Sequence, residues 1–257
     1  MRTDRDRTLP LSRRMGVGLA LAALALMAAP AAQAQLAKAA VATRAPAPDT
    51  SDRAGAQAAA EQGLAEYVQR KQQQGGAGAS AFELARVEDL ANTRISGGFE
   101  VHTIAPKALL AGRGELRHMV QASGIWRFFV RVGKRPVGLV TVQRLDGRWQ
   151  AVSFGGAGLA QELSDLMVEH AQAGAEHLRF IRVHQAQTDM LEVVSPADLQ
   201  ARYALLASAR ASLMPEAQAR SPDETATSSQ AAPRLLDTYE LLEPLRTAVK
   251  RNLNAQP

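Results

Sequence analysis

Glycines at 155, 156 and 158 separate a strand-like stretch ending at Phe154 from a helix-like one, and their spacing comes nearest to chemistry. Backbone N–H groups of Gly155, Gly156 and Gly158 could converge on an anion at the helix start, with His170 near the other end of that helix as a candidate partner. The spacing fits neither the dinucleotide fingerprint, which needs G-x-G-x-x-G inside a parallel βαβ unit, nor a triphosphate loop ending in Gly-Lys-Ser/Thr. A sharp strand-to-helix turn also uses glycine for its freedom at positive φ, and that reading takes precedence.

As a base, His170 needs a nucleophile such as Ser153 or Ser164, and no G-x-S-x-G elbow or S-x-x-K pattern marks either serine. Glu169, His170 and His177 could meet around one helix-to-strand turn, but His102, His118, His170, His177 and His184 form no recognised metal-ligand spacing. Cysteine is absent, which excludes a thiol nucleophile, a thiolate metal site and a redox pair. Glu162, Asp165 and Glu169 fall three and four apart on one helix, so they are expected on its solvated outer face, a poor cleft for sugar hydrolysis. With no catalytic set, metal or cofactor marked, the chain reads as a non-enzymatic binding or interaction protein, the alternative being an envelope enzyme or small-ligand sensor that uses the Gly155–Gly158 turn and His170.

Charge offers the other chemistry. Between Ile125 and Gln150 lie six basic residues (Arg127, Arg131, Lys134, Arg135, Arg144, Arg148) and one acid, Asp146, whereas residues 161–176 hold four acids and no Lys or Arg. Arg127, Phe129 and Arg131 alternate onto one strand face, where they could stack on and neutralise an anionic glycan, a lipid headgroup or an acidic partner. An ordinary solvated sheet face is the plainer alternative. The expected partners are an envelope protein or an anionic envelope component. Nucleic acid is not expected, because residues 1–34 hold five of the 30 basic and two of the 25 acidic residues, leaving 25 against 23 in the rest.

Those first 34 residues read as a cleaved signal peptide: five arginines before Met15, an apolar run to Ala29, and Ala32-Gln33-Ala34 as a cleavage site. The run of about 15 residues is shorter than the roughly 20 that span a bilayer, so the mature chain is expected to be periplasmic or secreted with no transmembrane segment. Arg13-Arg14 admits the twin-arginine route, but Met, Gly and Val follow where that route prefers large hydrophobic residues, so general secretion is expected.

Seven of the eleven aromatic residues fall between Phe99 and Phe180, which places the core there. The alternation of Ile125–Val132, the turn at Gly133-Lys134-Arg135-Pro136, Val137–Val142, the Asp146-Gly147 turn and Trp149–Phe154 predict an antiparallel meander. Phe99–Ile104 reads as a strand. A helix to about Ala173 and strands over Leu178–Gln185 and Met190–Val194 follow, then a helix from Ser195 to about Leu213. The expected fold is α+β, with an antiparallel sheet of about five strands (meander, helix, two strands) packed against helices. Flanking this 97–214 core are a disordered spacer over 35–53, a helical segment over 54–96, a Ser/Thr/Pro/Ala linker over 215–233 and an amphipathic C-terminal helix over 234–257. Within 54–96 the Ser80/Glu83 pair announces a second helix stopped at Gly97-Gly98. The C-terminal helix is expected to be interrupted at Pro244 and to dock on its own sheet.

Overall fold

Alanine and glutamine carry the chain from Thr50 to Gln73 as one helix, α1. Ala56, Ala60, Leu64 and Tyr67, spaced four, four and three apart, form its buried stripe. Small residues let it come close to the sheet: a Cβ on Gly63 would lie 2.3 Å from the Ala151 Cβ, and one on Gly55 would lie 2.8 Å from the Trp149 ring. The computed structural model describes residues 50–74, 80–174, 177–214 and 234–255. The expected signal peptide, residues 35–49 of the expected spacer and the linker over 215–233 lie outside the described residues.

The second N-terminal helix predicted from Ser80 does not form. The Ala81 N–H donates to the Tyr67 hydroxyl (2.8 Å), the Phe82 N–H to Ser80 Oγ (3.1 Å) and the Glu83 N–H to the Val137 carbonyl (2.9 Å). These bonds tie the backbone to α1 and the sheet, and only a short 3₁₀ turn, Val87–Asn92, follows. Phe82 is held between Tyr67 (5.2 Å) and Phe154 (6.3 Å), so long-range aromatic packing overrides the local capping pattern.

Strand β1, Thr93–Ile104, runs straight through Gly97-Gly98. By sequence the pair reads as a helix stop. In the sheet it marks a bulge, and Gly98 leaves room for the Phe128 ring, which a Cβ there would meet at 2.3 Å. A short helix, α2 (Pro106–Ala111), leads to the meander β2 (Val120–Val132), β3 (Arg135–Leu145) and β4 (Arg148–Gly155). Positive φ at Asp146 (50°) and Gly147 (76°) closes the β3–β4 turn as the dipeptide implies.

Helix α3, Ala157–Glu169, then carries the chain back across the sheet to β5 (Leu178–Val183), β6 (Thr188–Val194) and β7 (Ala201–Leu205). The strand order is β4-β3-β2-β1-β5-β6-β7. Every neighbouring pair is antiparallel except β1 and β5, which meet in parallel at Val101↔Phe180, His102↔Ile181 and Thr103↔Arg182. The α+β class holds, but the sheet has seven strands and is mixed, where about five antiparallel strands were expected. The extra edge strand is β7. Its Ala, Arg and Leu content reads locally as helix, yet pairing of Tyr203 with Glu192 and of Leu205 with Met190 makes it extended. The helix predicted over Ser195–Leu213 shrinks to α4, Ala207–Leu213.

Three hydrophobic clusters hold these layers. On one face α1 covers Trp126, Phe128, Val130, Val140 and Val142. On the other, Ala160, Leu163 and Leu166 of α3 cover Phe99, Phe129 and Leu139. The third cluster gathers Ile181, Met190, Tyr203 and Leu205 under the C-terminal helix α5, Thr238–Asn254, through Leu241, Leu245, Ala248 and Val249. An Asp237/Glu240 capping box starts α5, which docks on its own sheet and continues through Pro244 without the expected break. Among the described residues, no helix is long and apolar enough to cross a membrane.

Candidate functional site

Arginines in the β5–β7 half have their charges answered. Arg179 pairs with Glu192, Arg182 is bidentate to Asp189 (2.6 Å each), Arg210 meets Glu162 (2.7 Å) and Arg202 meets Asp198 (3.6 Å). The meander differs. Of its six basic residues, only Arg144 has a carboxylate partner among the described residues, Asp52 at 2.6 Å, while it lies over the Trp149 ring. Arg127, Arg131, Lys134, Arg135 and Arg148 have no carboxylate partner among the described residues.

The expected Arg-Phe-Arg face is divided by packing. Phe129 is 5 % exposed, lying in the cluster covered by α3 and 5.6 Å from the Phe99 ring. Arg131 lies over the Phe129 ring (5.4 Å to its centroid) and donates to Ser164 Oγ on α3 (2.8 Å) and to the Lys134 carbonyl (2.6 Å). Arg127 goes elsewhere, over the Phe180 ring at 5.7 Å. Its buried Nε has no hydrogen-bond partner, and burial, reinforced by Arg182, pulls its pKa down to about 10.

Around Arg131 a groove of about 680 Å³ opens between the β2–β3 turn and α3. Arg131, Lys134 and Arg135 supply its charge, Gln161 and Ser164 its polar wall, and Val168, 74 % exposed, an apolar rim. Its single acid, Asp165, is engaged by the Gln161 amide (2.9 Å). Two surface cations and one half-buried one against one carboxylate make a place where an acidic chain gains Coulomb energy. Of the acids expected on the solvated face of α3, Glu162 instead caps α4, accepting from the Ala207 N–H (2.9 Å) while holding Arg210.

Gly155 (φ 133°) and Gly156 (φ 72°) occupy backbone conformations that L side chains rarely adopt, as the sharp strand-to-helix turn requires. Gly158 lies in the first turn of α3 with open space around it. His170 ends that helix, half-buried, with its Nε2 buried and unpaired. Fourteen residues at 1.5 Å rise put Gly156 and His170 about 20 Å apart, so the fold does not bring the turn and the imidazole together. Among the described residues no three His, Asp or Glu side chains converge as a metal site requires.

Sequence reasoning passed over a polar ladder on the α1 side of the sheet: Glu100, His102, Arg179, Glu192 and Tyr203. Glu192 is fully buried, held by Arg179 and by the Tyr203 hydroxyl at 3.5 Å. Burial and the nearby Glu192 raise the Tyr203 pKa. His102 Nδ1 lies 3.2 Å from the Glu100 carbonyl, and burial together with Arg179 lowers its pKa. Burial raises that of the Glu100 carboxyl. One signal was available: a glutamate inside the apolar run Met190–Val194 demands a buried partner. No protein-family model, curated protein or solved structure matches the chain.

Proposed function

We propose that this chain is an exported, periplasmic or secreted, non-enzymatic binding protein that engages an acidic partner through the basic end of its meander. The export reading rests on the charged, apolar and small-residue pattern of residues 1–34. The binding reading rests on one observation: among the described residues five of six meander cations lack a carboxylate partner while each of Arg179, Arg182, Arg202 and Arg210 has one. A fold that satisfies its own arginines on one half and leaves them unanswered on the other has charge to offer a partner. The docking place is the groove at Arg131, Lys134 and Arg135, with Val168 as an apolar contact for a nonpolar residue of the partner.

Lys134 and Arg135 are exposed at the turn, so changing them leaves the core intact. Fluorescence anisotropy with a labelled Glu-rich peptide and with anionic lipid vesicles tests the reading. The wild type binds the peptide with an affinity that falls as salt rises, and the Lys134→Glu/Arg135→Glu protein loses it. Peptide binding unchanged in that variant, or absent in the wild type at low salt, removes the groove from consideration. Binding to vesicles alone redirects the reading to the envelope surface.

A further inference from the structure

A second site, separate from the groove, lies on the same face of β2, two turns of the pleat from Arg131. Arg127, paired with Phe99 across β1 and β2, reaches the parallel junction of β1 and β5 and rests over the Phe180 ring. The cluster it enters contains a second guanidinium, Arg182, and one carboxylate, Asp189, already committed to Arg182 through two bonds of 2.6 Å. Two cations and one anion leave a net charge of one, and the unanswered charge is on Arg127. No carboxylate pairs with it among the described residues, and its buried Nε makes no hydrogen bond. Thr103, whose hydroxyl could have helped, donates instead to the Arg182 carbonyl (2.8 Å).

Burial of such a group costs free energy unless something compensates it, and an arginine can hardly escape by deprotonation. The pKa, drawn down to about 10 chiefly by burial, agrees with a charge held in place without a partner. The surroundings describe what is missing. Below and beside the guanidinium the surface is apolar: Phe180 and Val101 are buried, and Ile125, paired with Val101 across β1 and β2, is half-buried. A planar guanidinium lying on an aromatic ring offers its Nη edge to a planar acceptor. The excess of a single charge suits a monoanion, since a dianion would leave the cluster negative and half out of water.

We infer that Arg127, seated on Phe180 beside the Arg182–Asp189 pair, binds the carboxylate of a small organic monoacid whose apolar body lies against Ile125. This site does not depend on the groove, because Arg131 and Arg127 reach different elements.

The experiment titrates the full chain with butyrate and follows the Arg127 Nε–Hε resonance by NMR, with butyramide and methyl phosphate as comparisons. Butyrate is expected to shift that resonance saturably with a Kd on the order of 1 mM, and the neutral amide and the phosphate to bind at least about tenfold more weakly. Arg127→Met, read by calorimetry with circular dichroism as the check of folding, abolishes butyrate binding; should it fail to fold, Arg127→Lys takes its place and weakens binding by losing the planar fork. Equal binding of butyramide means an apolar patch only, and equal binding of methyl phosphate a general anion site; either overturns the inference. So does the absence of saturation, or butyrate binding that survives the loss of Arg127. The Lys134→Glu/Arg135→Glu protein keeps its butyrate binding, so failure of the groove and failure of this site are told apart.

Discussion

Glu192→Gln is the sharpest probe of how the β5–β7 half is held. The carboxylate is fully buried and answers Arg179, whose side chain is 25 % exposed, and the Tyr203 hydroxyl at 3.5 Å. Removing its charge leaves the guanidinium mostly out of water with only a neutral acceptor. Breaking one partner of a buried pair costs about 3–5 kcal/mol, and because Arg179 keeps a quarter of its surface in water and Gln preserves the shape, about 3 kcal/mol is expected. For a domain of this size that is a fall in Tm of roughly 6–12 °C. Urea denaturation measures it as a lower midpoint with an unchanged slope, since the exposed area on unfolding stays the same. The companion protein, Arg179→Met/Glu192→Leu, removes both charges and places apolar atoms beside the buried Met190 and Tyr203, so it recovers most of the loss. A loss below about 1 kcal/mol in the single variant, or a double variant no more stable than the single one, would refute the view that this pair is a desolvated charge held by its partner.

Gly63→Ala puts a better helix former into α1, worth roughly 1 kcal/mol on propensity alone. The new Cβ would stand 2.3 Å from the Ala151 Cβ, which cannot rotate away, so α1 must lift from β4 and a lower thermal midpoint is expected; a higher one would show that the close approach carries no stability. His102 gives a pH dependence. Its folded pKa lies below the unfolded value near 6.5, so its contribution to stability is present above that value and is lost as pH falls through the folded one. Comparing urea midpoints at about pH 7.5 and about pH 5.5, the wild type should fall more steeply than His102→Gln, and parallel slopes would exclude His102 as the cause. Glu100 acts in the opposite sense: its raised pKa contributes stability present below the usual carboxylate value near 4.5 and lost as pH rises through the folded one, so it does not explain a loss on acidification.

Local patterns in the sequence determined a good deal. Alternation placed Trp126, Phe128 and Val130 on one face and Phe129 on the other, and the clusters keep them there, because side-chain direction in a strand has a period of two whatever the strand pairs with. Asp146-Gly147 announced its turn for a reason equally local, the positive φ both residues adopt. The apolar stripes of α3 and α5 announced helices that must dock. Tertiary structure decided what depends on a distant partner. Whether Ala201–Leu205 is helix or strand turns on the edge of β6, and whether Ser80–Asn92 is a helix turns on Tyr67 and Val137. The candidate site divides in the same way. Six cations in the meander were legible as composition, but which of them keep a free charge depends on where Asp52, Glu192, Asp189 and Glu162 arrive, from other strands, α1 and α3. Phe129 was legible as an aromatic on a basic face, yet α3 covers it and sends Arg127 and Arg131 to different neighbours. Periodicity along a chain specifies a residue's face; what lies across that face is a property of the assembled sheet and its helices.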